Sequence, residues 1–399
     1  MKCVSLFSGA GGLDLGLRSA GFEVVASIEF DEDCCDTLRA NGFREVRQLK
    51  VEQLPPKQLR RELKLKRGEL DLLVGGPPCQ PFSKSAFWAS AAAQGLDDPR
   101  ADTLKYFCDY VAEFKPKCVL LENVEGFESR GGLRHVQSLL SPLRVNGRPY
   151  QFSWKMIDAS AFGVPQSRKR GFLVATLAEV PFRFPASTHG TKESPISTAW
   201  DAVSLAESRY EEDLRIRGRW AELIPSIPEG KNYLWHTDKG GGEALFGWRT
   251  RYWSFLLKLA KDKPAPTLVA SPSQNSGPFH WENRLLSSGE MAALQTFPQS
   301  YLFKGDRVAR QRQIGNAVPP LLAQVLGCEI AHHLGVCLTP TLSLSIPRSS
   351  EVLASEVPLP IAEKYLALRG KHPAHPGTGK GPKPRALMGG MIDGGREEP

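Results

Sequence analysis

Cys79 is the residue whose position in this sequence most directly suggests chemistry. It lies in Pro77-Pro78-Cys79-Gln80, after the apolar run Leu70–Val74 and the pair Gly75-Gly76. The run predicts a buried strand, and the prolines hold Cys79 on a stiff turn at its carboxyl end, where open α/β sheets bind ligands. A positioned thiol can serve as a nucleophile through its thiolate. The alternative is a small buried hydrophobic residue beside a proline turn.

Glu122 is a candidate acid for the same cleft. The segment Glu122-Asn123-Val124 ends the apolar run Val119–Leu121, so sheet topology directs the carboxyl group toward Cys79. A half-buried carboxyl has a raised pKa and can donate a hydrogen bond to a heteroaromatic ring. Alternatively, Glu122 caps the next helix.

The segment Gln166-Ser167-Arg168-Lys169-Arg170 could supply guanidinium groups to this cleft. Alternate residues of an extended segment share a face, which places Gln166, Arg168 and Arg170 together. Guanidinium forks there could bind a phosphate, a carbonyl or a catalytic carboxylate. The alternative is a solvated basic edge.

A glycine turn and a later acid indicate a nucleoside site. Phe7-Ser8-Gly9-Ala10-Gly11-Gly12-Leu13 runs from a strand into a helix over Leu13–Ala20, and Glu29 follows Gly9 by twenty residues. That spacing suits a carboxylate that accepts hydrogen bonds from ribose hydroxyls. The pattern is not GxGxxG, so a nucleoside without phosphates fits better than a dinucleotide; a turn used only for packing is the competing interpretation. The segment Arg312–Pro320 contains a Gly-Asn turn and two prolines that begin a helix.

The elements that must position these residues alternate between strands and helices from Met1 to about Phe184, which predicts a parallel α/β sheet wrapped by helices. The predicted strands are Val4–Phe7, Val24–Ile28, Leu70–Val74, Val119–Leu121, Trp154–Ile157 and Phe172–Ala175. From Pro185 to Asn283 the chain is irregular and holds six of the eight tryptophans, which predicts a separate small domain. Helical periodicity returns after Arg284, and a Pro/Ser-rich, then basic tail follows Thr339. We expect this tail to be disordered except for a short helix near Ile361–Leu368.

Composition sets broad bounds on function. The 399 residues carry a net charge of +8, and 41% are hydrophobic and 24% charged, as in a soluble globular protein. The basic balance permits a polyanionic partner. The start of the sequence lacks a signal peptide pattern, and no apolar stretch approaches the length of a membrane span. The eight cysteines form no CxxC pair, which argues against disulfides or structural zinc and fits a reducing cytoplasm.

Taken together and in this order, the motifs resemble those of the DNA (cytosine-5) methyltransferase family. The matching segments are Phe7–Leu13, Pro77–Gln80, Asp98-Pro99-Arg100, Glu122–Val124, Gln166–Arg170, Arg284-Leu285-Leu286 with Gln295–Pro298, and Gly315–Pro320. The resemblance covers about 1–186 and 264–335. It implies a Rossmann-like S-adenosylmethionine-dependent methyltransferase sheet with a smaller, irregular target-recognition domain.

The resemblance also implies a domain division. Residues 1–185 would form the catalytic, S-adenosylmethionine-binding domain, and residues 186–283 the target-recognition domain. Residues 284–338 would form a hinge and return to the catalytic domain, and 339–399 the disordered basic tail.

In such an enzyme Cys79 would attack C6 of a cytosine flipped out of duplex DNA, so that C5 becomes nucleophilic enough to take a methyl group. Glu122 would stabilise N3 and the exocyclic amine. Arg168, with Arg170 in support, would hold the carbonyl O2 and the carboxylate geometry.

The resemblance further assigns a methyl donor and binding residues. The donor would be S-adenosylmethionine, with no metal, and the cofactor-binding residues would be Phe7, Gly9, Gly11, Gly12, Leu13, Glu29, Pro78, Asn316 and Val318. The nucleic-acid-binding residues would be Ser83, Lys84, Gln166, Arg249 and Arg251. One departure is Lys50, where the family often has an acid that meets the adenine amine; Asp71 or a backbone group could substitute.

The expected partner is double-stranded DNA. We expect the protein to be a monomer in the cytoplasm, associated with the nucleoid through DNA and not with a membrane. A cognate restriction endonuclease would belong to the same system without forming a stable complex. The alternatives are the tRNA-methylating branch, whose Cys-Phe-Thr signature is not found, and an inactive DNA-binding repressor. An amino-methyltransferase would show Pro-Pro-Tyr or Pro-Pro-Trp in place of Pro77-Pro78-Cys79.

Overall fold

The computed structural model describes residues 1–79, 82, 101–207, 209–248, 253–349, 351 and 353–369. The strands are β1 Lys2–Leu6, β2 Glu23–Glu29, β3 Val46–Gln48, β4 Leu72–Gly75, β5 Cys118–Asn123, β6 Arg144–Val145, β7 Arg148–Pro149, β8 Gln151–Asp158, β9 Gln166–Ser167, β10 Lys169–Thr176 and β11 Ala265–Pro266. The α-helices are α1 Gly12–Ser19, α2 Glu32–Ala40, α3 Pro56–Glu62, α4 Asp102–Phe114, α5 Gly126–Ser129, α6 Gly132–Leu140, α7 Ala199–Val203, α8 Ser288–Leu294, α9 Arg307–Asn316, α10 Pro320–His333 and α11 Glu363–Leu366.

Seven strands form the central sheet in the order β3-β2-β1-β4-β5-β10-β8. The α/β fold class, the mostly parallel sheet and all six predicted strands are confirmed. Strand β10 runs antiparallel to both β5 and β8. Only the short segment 159–168 joins β8 to β10. A link this short suits an antiparallel pair, whereas a parallel pair needs a longer crossover.

Both faces of the sheet are buried, which explains why its strands are nearly continuous apolar runs. Successive strand residues point to opposite faces: Val4 and Leu6 pack with helices α3, α4 and α6, whereas Cys3 packs with α1 and α10. The carboxyl ends of β1, β2, β4 and β5 therefore meet at one edge, between two helical layers.

Helices α9 and α10 together form a long helical stretch of the described chain. Arg307–His333 is long and apolar enough to cross a membrane by length and composition, contrary to the sequence-based expectation, but 72% of its most apolar window is buried. Residues 317–319 separate the two helices, and α10 packs closely on α1. The stretch is thus a core element of this fold.

A second core lies outside the sheet and is largely aromatic. We call it the aromatic cluster; its central members are Trp220, Leu223, Ile224, Tyr233, Phe246, Phe255 and Phe279. The chain around it is irregular, with short 3-10 helices at Ala221–Ser226 and Tyr233–His236. Edge-to-face ring contacts, such as Trp220 to Phe246 at 5.1 Å, hold it together in place of extended ladders.

The C-terminal segment differs from the disordered tail that the sequence analysis expected. Residues 339–369, which we call the C-terminal strap, return along the molecule and bury Leu344 and Tyr365. Helix α11 lies inside the predicted range 361–368. A few apolar side chains thus anchor an otherwise Pro/Ser-rich segment. Residues 370–399 lie outside the described part of the chain.

Candidate active site

The turn that carries Cys79 is fixed on both sides. Asn123 Nδ2, at the end of β5, donates to the Pro77 carbonyl at 3.2 Å. The backbone N–H of Phe82 donates to the Cys79 carbonyl at 2.9 Å. The Phe82 ring is fully buried against Phe127, with centroids 5.1 Å apart. The half-buried thiol is therefore held on a rigid turn at the carboxyl end of β4.

Glu122 lies beside this turn and is paired with Arg170. Arg170 Nε is 3.0 Å from Glu122 Oε1, and both side chains are largely buried. A Cβ on Gly76 would lie 3.0 Å from Glu122 Oε2, so the missing side chain leaves space for the carboxylate next to the strand that leads to Cys79.

The charges of these groups act on one another. Burial raises the pKa of the Cys79 thiol and the Glu122 carboxylate raises it further, while Arg170 and Arg168 act in the opposite direction. Burial also raises the pKa of Glu122, again opposed by Arg170 and Arg168. Desolvation thus favours a neutral thiol and a protonated carboxyl, and the two guanidinium groups favour the charged forms.

Arg168 occupies a different position from the one that the sequence analysis expected. The sequence analysis expected Arg168 to hold the Glu122 carboxylate with Arg170 in support, but Arg170 makes that contact. Arg168 is 1% exposed, and its terminal nitrogens donate to the carbonyls of Gly315 at 2.8 Å and Leu268 at 3.3 Å. Its buried Nε has no hydrogen-bond partner among the described residues. Arg168 therefore ties the returning C-terminal segments to strand β10.

Gln166, which the sequence analysis predicted to contact DNA, is a buried side chain in this structure. The side chain is fully buried: Oε1 accepts from Leu268 N at 3.2 Å, and Nε2 is 3.4 Å from the Leu294 carbonyl. Strand β9 also pairs with β11 beside it. Gln166 does share a face with Arg168, but that face points into protein. A buried amide and a DNA-contacting amide look alike in sequence.

The glycine turn and Glu29 meet at the carboxyl ends of β1 and β2. Gly9 N donates to Glu29 Oε2 at 2.8 Å, and Phe30 N donates to Oε1 at 2.8 Å. Burial raises the pKa of Glu29, and the backbone donors of Asp31, Gly9 and Phe30 oppose it. Phe7 and Gly9 have positive φ angles of 56° and 54°, and a Cβ on Gly9 would meet nothing within 4 Å. The turn therefore borders open space beside an acceptor.

The other side of this turn is formed by the far end of the chain. A Cβ on Gly12 would lie 2.2 Å from the Val318 carbonyl, so only glycine allows this approach. Gly11 is similarly covered by Tyr301, whose hydroxyl donates to the Ala10 carbonyl at 2.6 Å. Asn316 is exposed where α9 ends, whereas Leu13 packs into the core with Val318. Pro78 precedes Cys79 in the turn that follows β4, the neighbour of β1.

Phe30 is a residue that the sequence analysis missed. It follows Glu29 directly and is 60% exposed, the only aromatic side chain with such exposure in the glycine-turn region among the described residues. An exposed ring beside an acceptor at a strand's carboxyl end can stack on a flat heterocycle. The signal was an aromatic residue next to the candidate ribose-binding acid.

Asp71 cannot replace the acid expected at Lys50. It precedes β4, at the opposite edge of the sheet, and accepts hydrogen bonds from Lys2 N and Lys117 Nζ, each at 2.7 Å. Lys50 begins the short 3-10 helix Val51–Gln53.

The remaining predicted DNA contacts, Ser83, Lys84, Arg249 and Arg251, lie outside the described residues. Within the described ranges, no cluster of three or more His, Cys, Asp or Glu side chains could hold a metal ion.

The same fold occurs in a solved structure of another protein. That structure, of a methyltransferase from Entamoeba histolytica, matches this chain with a TM-score of 0.59 and 16% identity, over 84% of this chain and 98% of that one. At this identity the likeness concerns the fold alone.

The sequence comparisons define the family. Residues 1–332 match the family described as C-5 cytosine-specific DNA methylase. The chain is 35% identical over 369 residues to the Type II methyltransferase M.SacI of Streptomyces achromogenes, covering 84% of this chain and 94% of that protein. It is 31% identical to the Type II methyltransferase M.NgoFVII of Neisseria gonorrhoeae, over 80% and 83% of the two chains. The protein belongs to the C-5 cytosine-specific DNA methylase family and is a DNA cytosine-5 methyltransferase.

Proposed function

We propose that this enzyme transfers a methyl group from S-adenosylmethionine to C5 of a flipped-out cytosine in a specific duplex DNA sequence, through a covalent bond between Cys79 and C6. The proposal includes a role as the modification enzyme of a Type II restriction-modification system, the class named for its relatives.

The main support is the meeting of Cys79, Glu122 and Arg170 at one sheet edge. The Glu122 carboxylate raises the pKa of the Cys79 thiol and Arg170 opposes this rise. Arg170 also opposes the raised pKa of Glu122, and its Nε lies 3.0 Å from Glu122 Oε1. A nucleophile, a carboxyl that can donate a proton and a cation are the groups that addition to a cytosine ring requires.

The reaction would proceed as follows. The Cys79 thiolate attacks C6, and Glu122 in its protonated form donates a hydrogen bond at N3 as negative charge moves onto the ring. Arg170 orients Glu122 and supplies positive charge for the carbonyl O2. Arg168, whose terminal nitrogens donate to the Gly315 and Leu268 carbonyls, contributes the positive charge that it adds near Glu122. After methyl transfer, loss of the C5 proton and expulsion of the Cys79 thiolate restore the aromatic ring and release 5-methylcytosine.

The residues near the glycine turn fit S-adenosylmethionine, which supplies an electrophilic methyl group on a sulfonium centre. Glu29 would accept from the ribose hydroxyls, and the open space at Gly9 leaves room for the nucleoside. Phe30 would stack on the adenine. The wall of this cofactor pocket would be completed by backbone groups of Gly11 and Gly12 together with Pro78, Asn316 and Val318.

We further propose that residues 1–185 and 284–338 form the catalytic domain and that residues 186–283, built on the aromatic cluster, recognise the DNA target. The enzyme would act as a cytoplasmic monomer associated with the nucleoid. It would share its target with a cognate endonuclease without a stable complex.

The test is transfer of labelled methyl groups to mixed-sequence duplex DNA, with nucleoside digestion and bulk tRNA in parallel. We expect label in DNA 5-methylcytosine for the wild type and for Cys337→Ser, an exposed-thiol control, but not for Cys79→Ser. Bisulfite sequencing would then identify the target. Label in tRNA alone, or equal activity in Cys79→Ser, would overturn the proposal.

A further inference from the structure

The C-terminal strap joins the catalytic core to the aromatic cluster across the outside of the molecule. It begins beyond residue 332, where the family match ends. Its first contacts are with the core: Thr341 N donates to the Ser19 carbonyl at 2.7 Å, and Gln324 Nε2 donates to the Leu342 carbonyl at 2.7 Å. Leu344 is buried among the side chains of α1 and α10.

The middle of the strap crosses helix α7. Ser349 N donates to Asp201 Oδ1 at 2.9 Å, and Trp200 Nε1 donates to Ser349 Oγ at 3.3 Å. Asp201 also caps its own helix through Thr198. One buried carboxylate thus serves both the helix and the strap.

Lys261 forms the next junction. Its ammonium group donates to the Ala354 carbonyl and to Glu356 Oε1, both at 2.9 Å, and lies 3.4 Å from Glu229 Oε1. Glu356 N donates to Glu229 Oε1 at 2.8 Å. The side chains of Lys261 and Glu229 are only 10% and 8% exposed, so this pair is shielded from solvent screening.

The strap ends inside the aromatic cluster. The Tyr365 ring is 3% exposed and stacks on Trp220 at 5.8 Å with an interplanar angle of 21°, while its hydroxyl donates to the Arg219 carbonyl at 2.7 Å. Ile361 and Leu368 pack around it. The cluster is therefore completed by a side chain that follows Trp220 by more than a hundred residues.

We propose that the C-terminal strap, through Lys261 and Tyr365, is a positioning element that sets the placement of the aromatic cluster relative to the catalytic edge and thereby tightens and sharpens DNA recognition. This inference rests on the proposed role of residues 186–283 as the recognition domain. Because the strap touches neither the glycine turn nor the Cys79 turn among its described contacts, its release should affect DNA binding and leave cofactor binding and the chemical step unchanged.

The test compares Tyr365→Ala with Tyr365→Phe, which keeps the ring, and with Val357→Ala, a control at an 84% exposed position of the strap. We expect Tyr365→Ala to raise the KM for the target duplex at least tenfold and to narrow the discrimination against single-mismatch sites. The kcat and the Kd for S-adenosylmethionine should stay within twofold of wild type. Tyr365→Phe should have a KM much closer to that of wild type than Tyr365→Ala has, and Val357→Ala should match wild type.

A second variant guards against misfolding of Tyr365→Ala. The double charge reversal Lys364→Glu with Arg369→Glu removes the exposed ion pairs with Glu222 and Glu243 and should raise KM in the same direction by a smaller factor. An unchanged KM for the duplex in these folded variants would overturn the proposal. A fall in kcat and in cofactor affinity that accompanies the rise in KM would also overturn it.

Failure of the proposed function would be recognised separately. A wild-type protein that transfers no methyl group to DNA contradicts the proposed reaction. In that case the affinity for a fluorescent duplex is measured by anisotropy. Equal affinity of wild type and Tyr365→Ala would refute the proposed role of the strap in DNA binding.

Discussion

The two arginines next to Glu122 should respond differently to the same substitution. Arg170→Met removes the contact to Glu122 Oε1 at 3.0 Å. Arg168→Met instead removes the donors to the Gly315 and Leu268 carbonyls. We expect the first to slow chemistry and the second mainly to destabilise the fold.

The magnitudes follow from the contacts. A hydrogen bond between charged groups contributes about 1.5–3 kcal/mol net, so losing the Arg170 contact should slow methyl transfer roughly 10- to 150-fold. The pKa of Glu122 should also rise further, because the largest opposing influence is gone. Each buried carbonyl left without its Arg168 donor costs about 1–3 kcal/mol, which predicts a loss of about 2–6 kcal/mol in the free energy of unfolding.

Single-turnover methyl transfer at saturating DNA and cofactor isolates the chemical step, and urea denaturation reports stability. Both should be measured at a temperature where each variant is folded. A larger rate loss in Arg168→Met than in Arg170→Met, with unchanged stability, would refute the assignment of the carboxylate contact to Arg170.

Four further outcomes follow from described contacts. Phe30→Ala should weaken S-adenosylmethionine binding by calorimetry roughly 5- to 150-fold, since stacking of a base on an aromatic ring contributes about 1–3 kcal/mol, whereas Phe30→Trp should retain affinity. Glu122→Gln should speed iodoacetamide labelling of Cys79, followed by peptide mass spectrometry, because removing the negative charge lowers the thiol pKa. Burial lowers the pKa of His236 to about 4, below its unfolded value, so its contribution to stability is present above about pH 6.5 and is lost as the pH falls toward 4. Wild type should therefore lose free energy of unfolding when the pH is lowered from 7.5 to 5. In His236→Gln this loss should be smaller by about 2 kcal/mol. Gly16→Ala should lower the melting temperature despite the better helix propensity of alanine, because its Cβ would lie 2.3 Å from the Pro320 carbonyl.

Each of these has a result that contradicts it. Unchanged cofactor affinity in Phe30→Ala would place the adenine elsewhere, and slower labelling of Cys79 in Glu122→Gln would reverse the inferred sign of the interaction. Identical pH dependence of unfolding in His236→Gln would exclude that side chain as the titrating group. A stabilised Gly16→Ala would show that α1 and α10 can separate without cost.

The sequence predicted the strands because apolar runs bounded by glycine and proline are local signals, and it predicted the sheet edge at which Cys79 and Glu122 meet. It did not predict the direction of β10, since a strand buried on both faces has the same pattern whichever way it runs. The buried contacts of Arg168 and Gln166 were not foreseen either, because their partners at Leu268 and Gly315 follow a hundred or more residues later. The anchoring of Tyr365 escaped notice for the same reason: its partners Trp220 and Arg219 are remote in sequence.

The closeness of Gly12 to Val318 has a consequence for how the protein is made. The backbone that covers the glycine turn is synthesised about 300 residues after the turn itself. At roughly 5–20 residues per second, the turn remains uncovered for about 15–60 s. A chain that stops before Val318 therefore lacks one wall of the proposed cofactor pocket, and we expect such a chain not to modify DNA.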